Sequence, residues 1–154
     1  MYSIGFRISP TDWTHVVLSG SVDEPAIEAV ETVKFPPGMT DQESLAWFRD
    51  EIAGLLGRFP VEAANFRRRE PQARGSGKSV YRRYEFEGVL QEVIFSTTGT
   101  EATPLVQRQI KSRLGFDGKA NAVDTIPGSF PQFTDVGAGK QADACVVALC
   151  GLPE

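Results

Sequence analysis

The sequence is poor in the residues that build soft metal centres. Its 154 residues contain one histidine, His15, and two cysteines, Cys145 and Cys150. Zinc sites assembled from His and Cys clusters need several such ligands, so they are excluded. The two cysteines lie five apart on an expected helix, where their side chains diverge. No disulfide is expected, and a reducing cytoplasm fits that usage. Serine–histidine catalysis would have to use His15 as its base, and no nucleophile elbow accompanies it. A lone histidine in a strand reads as structural, and Cys145 on a packed helix face reads as core. No run of about 18 apolar residues occurs, so no membrane span is expected. The start, Tyr2-Ser3-Ile4-Gly5-Phe6-Arg7, lacks the basic-then-apolar pattern of a secretory signal.

Positive charge is also in deficit. The formal net charge is −4, which argues against a general polyanion binder. The charge is unevenly spread, however. Arg67, Arg68, Arg69, Arg74, Lys78, Arg82 and Arg83 crowd one segment, a candidate basic patch for phosphates. Tyr81 and Tyr84 beside it offer faces on which bases can stack. The competing reading is a solvated loop followed by a packed amphipathic helix. Gly75-Ser76-Gly77-Lys78-Ser79 has the look of a phosphate loop, but the glycine that should open the motif is Gln72.

What is present is a regular alternation of elements. Tyr2, Ile4, Phe6 and Ile8 alternate with Ser3, Gly5 and Arg7, as in a half-buried strand. Pro10-Thr11-Asp12 turns the chain, and His15 to Leu18 forms a second strand. Ala26 to Phe35 forms a third, with Ile27, Val33 and Phe35 on one face, stopped by Pro36-Pro37-Gly38. Thr40 and Glu43 make a capping box for a helix whose apolar face carries Leu45, Phe48, Ile52, Leu55, Leu56 and Phe59. Val61 to Phe66 is a fourth strand, Arg67 to Ser79 a loop, and Val80 to Phe95 a second helix. On that helix Tyr81, Tyr84, Gly88 and Glu92 share one stripe, and Phe86, Leu90 and Val93 another. Ala102 to Gln107 is a fifth strand, and Ile110 to Leu114 a single helical turn. Phe116 to Gly139 is a long irregular loop, of the kind that is often functional. Lys140 to Leu149 is a final helix with Ala142, Cys145 and Leu149 inward. There is no internal repeat, and residues 1–154 read as a single domain.

The order of strands and helices resembles the ribonuclease H fold: an α/β domain on a five-stranded mixed sheet, three antiparallel strands followed by two parallel ones, with flanking helices. Particular residues narrow the resemblance. Gln141-Ala142-Asp143-Ala144-Cys145-Val146-Val147-Ala148-Leu149 looks like the last helix of RuvC-type Holliday-junction resolvases. Gly88-Val89-Leu90 after Tyr84 is similar to that family's second helix, and Ile4-Gly5-Phe6 to the end of its first strand.

The resemblance implies a site and an interface. In that family, carboxylates from strand one, strand four and the last helix bind two divalent metals, which activate water for phosphodiester hydrolysis. The strand-one acid falls here on Arg7. The strand-four acid falls near Asn65, or on Ala64 after a one-residue slip. The first acid of the last helix matches Asp143, and the second would be Val146. Arg7 has two readings: a guanidinium that replaces the metal and pairs with Asp143, or an exposed arginine on an outer strand face. Asp143 is a relic ligand or an acid favouring the helix macrodipole. Asn65 is a degraded ligand or a strand-end residue. The resemblance also places Tyr81, Tyr84 and Gly88 at a homodimer interface.

The expectation is a RuvC-like domain without metal-dependent cleavage and without a metal cofactor. It would serve as a DNA- or RNA-binding or assembly subunit. One alternative is an active, divergent Mg²⁺-dependent endonuclease drawing its acids from Asp12 and Asp143. Asp12 otherwise reads as a turn former. A further alternative is a protein-interaction subunit of a larger complex that binds no nucleic acid.

Overall fold

The computed structural model describes residues 1–116, 133 and 136–154. Strand β1 (Tyr2–Ile8) lies at the middle of a five-stranded sheet of order β3-β2-β1-β4-β5. Strand β2 (Asp12–Gly20) runs antiparallel to β1, and β3 (Pro25–Lys34) antiparallel to β2. Helix α1 (Asp41–Leu56) leads to β4 (Val61–Arg67), which lies parallel to β1 on its other side. Helix α2 (Lys78–Thr98) then carries the chain to β5 (Ala102–Leu105), parallel to β4. Helix α3 (Gln107–Leu114) follows, and α4 (Lys140–Leu149) ends the described elements. This is the ribonuclease H order expected from the sequence. Among the described residues no helix is long and apolar enough to cross a membrane.

Two layers of helix cover the sheet. On one face Ile4, Phe6 and Ile8 of β1 join Trp13, Val17, Ala64 and Phe66 against Phe48, Ile52 and Leu55 of α1 and Phe86, Leu90 and Val93 of α2. Phe35 stacks on Phe86 at 4.3 Å, and Phe48 meets Phe86 edge-on at 5.2 Å. Each such large side chain removed from water contributes about 1.5–3 kcal/mol.

The opposite face is where α4 lies, and β1 is therefore buried on both sides rather than half-buried. Ser3 and Gly5 look like solvent-facing residues in the sequence because they are small and weakly polar. They are instead what a close-packed helix requires. A Cβ on Gly5 would stand 2.0 Å from the Ala144 carbonyl oxygen and 2.6 Å from the Ala148 nitrogen. The Ser3 hydroxyl donates to the Ala148 carbonyl at 2.6 Å, and Asn65 Nδ2 to the Val147 carbonyl at 2.9 Å. These two polar side chains donate to carbonyls in the last turn of α4, of which that of Ala148 also accepts from Gly151 N at 3.0 Å. Apart from Asp143, the residues of α4 from Ala142 to Leu149 are all buried. Cys145 and Cys150 are both free, and burial pushes each thiol up to about 12.

Several boundaries differ from the sequence reading. β2 begins at Asp12 rather than His15, because Trp13 already pairs with Ile8 of β1. Ile27 does not share a face with Val33 and Phe35. Glu28 is an extra residue between the Val17–Ala29 and Leu18–Ile27 pairs, so the alternation reverses there. Ile27 packs on the α4 side, and Val33 and Phe35 on the α1–α2 side. The capping box on α1 forms as expected, with Thr40 Oγ1 accepting from Glu43 N at 3.1 Å. The helix stops at Leu56, short of Phe59. α2 is longer than expected at both ends and closes at Gly99 with φ 71°. α3 makes two turns rather than one, and β5 ends at Leu105 rather than Gln107. The irregular stretch expected from Phe116 to Gly139 lies, apart from its ends and Phe133, outside the described residues.

Candidate functional site: an arginine cluster at the parallel strand ends

Strands β1 and β4 finish side by side beneath the first turn of α4. Gly5 pairs with Asn65 and Phe6 with Phe66, so the next step brings Arg7 level with Arg67. Side chains alternate along both strands, which puts Arg7 and Arg67 on the α4 face with Gly5 and Asn65. Both close on Asp143. Arg7 Nε donates to Oδ2 at 3.1 Å, and Arg67 Nε to Oδ1 at 3.3 Å. One carboxylate is thus shared between two guanidiniums.

The remaining contacts fix both arginines. Arg7 also donates to the Ile8 carbonyl. Arg67 donates from one terminal nitrogen to the carbonyls of Arg68 at 2.8 Å and Leu105 at 3.3 Å, and from the other to Glu70 Oε1 at 2.6 Å. Glu70 in turn accepts from the Gln107 backbone at 2.7 Å, which ties the start of α3 to the end of β4.

A second ion pair lies below. Arg83 Nε donates to Glu87 Oε1 at 2.9 Å one turn along α2, and Arg83 also donates to the Arg67 carbonyl at 2.7 Å. Burial raises the Glu87 carboxyl above the ordinary carboxylate range, against the pull of Arg83, Arg68 and Arg7. Burial lowers the Arg83 guanidinium, and the charges of Arg7 and Arg67 push the same way. A guanidinium keeps its proton in proteins, so this pair remains an arginine facing a strained acid.

Together these side chains enclose a cleft of about 300 Å³ lined by Arg7, Arg67, Arg68, Arg69 and Arg83, with Glu70 and Asp143 as its acids. A larger hollow of about 530 Å³ runs along α3 between Val106 and Arg113, but no acid or shared ion pair converges there. The chemistry is concentrated in the arginine cleft.

The structure sorts the candidate residues unevenly. Arg7 and Asp143 come together. Asn65 does not join them: it is buried two places earlier on β4, and Arg67 holds the corresponding position. Ala64 points into the opposite core, so a slip by one residue does not help. Val146 is core. Asp12 is held by Lys140 Nζ at 2.8 and 2.9 Å and by Ser9 Oγ at 2.7 Å. Burial pushes the Asp12 carboxyl up, but Lys140, Ser9 and Arg7 outweigh it and leave it below its ordinary value. His15 is buried against Trp13 at 5.3 Å, as a structural residue should be.

The donor set does not fit a divalent cation. Magnesium needs several oxygen ligands and little competing positive charge. Here two strand positions are cationic, and the carboxylate between them is already paired on both oxygens. Among the described residues no group of three or more His, Cys, Asp or Glu side chains is placed to hold a metal.

The basic segment is not one continuous patch. Arg67 and Arg83 are taken up internally. Arg82 donates to the Pro10 carbonyl at 3.1 Å and to Asp41 at 2.7 Å, and lies over the Phe86 ring. Arg69 reaches the carbonyls of Ala73 and Arg74 at 2.7 Å each and of Gly75 at 2.9 Å. Residues 73–75 therefore turn carbonyls toward a cation, not amides toward a phosphate. Arg74 and Lys78 lie outside these pairs, and Arg68 is 37% exposed at the wall of the cleft.

Three further features escape a reading of the sequence. Arg108 and Arg113 are exposed on α3, an element that looks too short in the sequence to present a face. Phe95 is 58% exposed on the stripe of α2 that carries Tyr81, Tyr84 and Gly88. A search at spacings of three and four would find it. Arg67 as the partner of Arg7 depends on the β1–β4 register, for which the sequence carries no signal.

No protein-family model matches the sequence, and no curated protein matches it. Solved structures do. RuvC of T. thermophilus in complex with a Holliday junction substrate superposes with a TM-score of 0.76 and 18% identity, covering 97% of this chain and 91% of that one. A second RuvC structure from Thermus thermophilus gives 0.75 and 19%, covering 97% and 92%. Over nearly its whole length, the chain has the ribonuclease H-like fold of RuvC, with arginines at the ends of its two central parallel strands.

Proposed function

We propose that this protein is a RuvC-like domain that binds nucleic acid and does not cut it by two-metal chemistry. The observation that carries the reading is the closure of Arg7 and Arg67 on Asp143, on three elements that meet at one point. Fixed guanidiniums occupy the place where a hydrolytic centre needs oxygen ligands. Asp12, the acid that an active enzyme would have to recruit, is engaged by Lys140.

Three things support the nucleic-acid partner. The similar RuvC structure is in complex with a Holliday junction substrate. The cleft carries an excess of arginine over acid. Arg68 reaches solvent at its wall, and Arg74 and Lys78 are exposed further along the chain, with the exposed Tyr81 at the start of α2. Arginine and lysine supply most of the affinity for a phosphate backbone, and tyrosine supplies stacking.

The protein acts in the cytoplasm as a homodimer through α2. The stripe of Tyr81, Tyr84 and Phe95 around Gly88, beside which a Cβ would meet nothing within 4 Å, supports that face. The same stripe favours a second reading, an assembly subunit that meets other proteins and no nucleic acid.

Fluorescence titration with branched and single-stranded DNA and RNA separates the two. The nucleic-acid reading expects binding that weakens steeply between low and moderate salt, as counterion release requires. Absence of binding at any salt removes it and leaves the assembly reading.

A further inference from the structure

We infer that the arginine cleft is a phosphate site that works without a metal ion. This deepens the nucleic-acid reading and rests on it for the source of the phosphate. The charge count comes first. Arg7, Arg67, Arg68, Arg69 and Arg83 face Asp143, Glu70 and Glu87, so five guanidiniums meet three carboxylates. The excess of two positive charges sits in an open recess of part-buried side chains, where water screens charge less than at a free surface. An oxyanion entering the cleft offsets that excess.

The donors are also fixed before the ligand arrives. Arg67 is held by Asp143, Glu70 and two carbonyls, Arg69 by three carbonyls, and Arg83 by Glu87 and the Arg67 carbonyl. Side chains already ordered lose little entropy on binding. One donor is unfinished. The Arg68 side chain lines the cleft, is 37% exposed and makes no hydrogen bond among the described residues, while its buried Nε lies 3.7 Å from Glu87 Oε2. A guanidinium without hydrogen-bond partners at the wall of a cationic cleft is what a tetrahedral oxyanion satisfies through its terminal N–H groups, with arginine's forked geometry favouring phosphate. The phosphate is supplied either by an internal diester or by a strand terminus. The chemistry is common to both.

The test uses the full chain in EDTA. Inorganic phosphate is titrated while the arginine Nε–H resonances are followed by NMR. The same protein is then titrated with one single-stranded DNA oligonucleotide carrying or lacking a 5′-phosphate. The expected result is saturable shifts at Arg7, Arg67 and Arg68, unaffected by Mg²⁺. Arg68→Gln, which leaves the Asp143 pairs intact, should weaken phosphate binding by at least about tenfold with the fold preserved. Arg113→Gln, outside the cleft, should leave phosphate binding unchanged. Tighter binding of the 5′-phosphorylated strand assigns the site to a terminus, and equal binding assigns it to a diester. The proposal is overturned if phosphate causes no shift, if Arg68→Gln binds like the parent, or if binding appears only with added Mg²⁺. Oligonucleotide binding without phosphate shifts overturns the cleft and leaves the nucleic-acid reading on Arg74 and Lys78. Phosphate shifts without oligonucleotide binding support the cleft and overturn that reading.

Discussion

Arg7 Nε stands 3.1 Å from Asp143 Oδ2, joining the central strand to the last helix across 136 positions of chain. Asp143 holds Arg67 by its other oxygen, so removing the carboxylate leaves two guanidiniums facing one another. The group is 20% exposed, and solvent screens part of the loss. Asp143→Asn is expected to lower stability by about 1–2 kcal/mol. Urea unfolding of the two proteins measures it, and added salt should narrow the gap. An unchanged midpoint contradicts the pairing.

His15 predicts a pH dependence. Burial, with the charge of Arg58 acting the same way, lowers its pKa to about 4 from 6.5. The groups facing it are the Trp13 ring, Arg58 after α1, and Glu31 of β3, whose carboxylate lies 4.0 Å from Nε2. The fold prefers the neutral ring. Its contribution is complete above pH 6.5 and is lost as the pH falls toward 4, by about 3 kcal/mol in all. Comparing stability at pH 7 and pH 4.5 in the parent and in His15→Phe isolates the effect. The parent should lose more on acidification than the variant, and equal losses reject the assignment to His15.

Gly5 is where α4 comes closest to the sheet. A Cβ there would stand 2.0 Å from the Ala144 carbonyl oxygen, so Gly5→Ala forces backbone apart from backbone. The expected cost is about 3 kcal/mol or more, at the upper end for overpacking. Gly88→Ala, with open space beside it, should by contrast stabilise α2 by up to about 1 kcal/mol through helix propensity. Thermal melting of both variants decides the matter.

The α2 stripe is tested by association. Tyr84 is 42% exposed and takes no part in the core, so Tyr84→Glu should leave the fold of the single chain intact by circular dichroism. In sedimentation velocity the parent is expected as a dimer and the variant as a monomer. A monomeric parent at all concentrations rules out the dimer.

The parts of the fold that are legible in the sequence are those with strong local signals. The alternation of β1, the Thr40–Glu43 box and the apolar turns of α1 and α4 each follow from neighbouring residues. What is not legible depends on distant partners. Ser3 and Gly5 look like a solvent face until α4 is laid over them. Glu28 looks like any strand residue, yet as a bulge it sends Ile27 and Val33 to opposite faces. The site shows the same division. A family resemblance is enough to single out Arg7 and Asp143, whereas choosing Arg67 over Asn65 needs the parallel register. The row of arginines after β4 looks like one patch in the sequence, but Arg67, Arg69, Arg82 and Arg83 are held by partners within the protein.

Arginines in place of hydrolytic chemistry, with nucleic acid still bound, are best tested in a single experiment. The purified chain is incubated with labelled branched DNA in Mg²⁺, Mn²⁺ or EDTA, binding is confirmed by anisotropy in the same samples, and the strands are then resolved on a denaturing gel. The expected result is salt-sensitive binding of equal strength with and without metal, and strands that remain intact. Metal-dependent cleavage would contradict it, and cleavage that survives Asp143→Asn would place an active centre elsewhere in the chain.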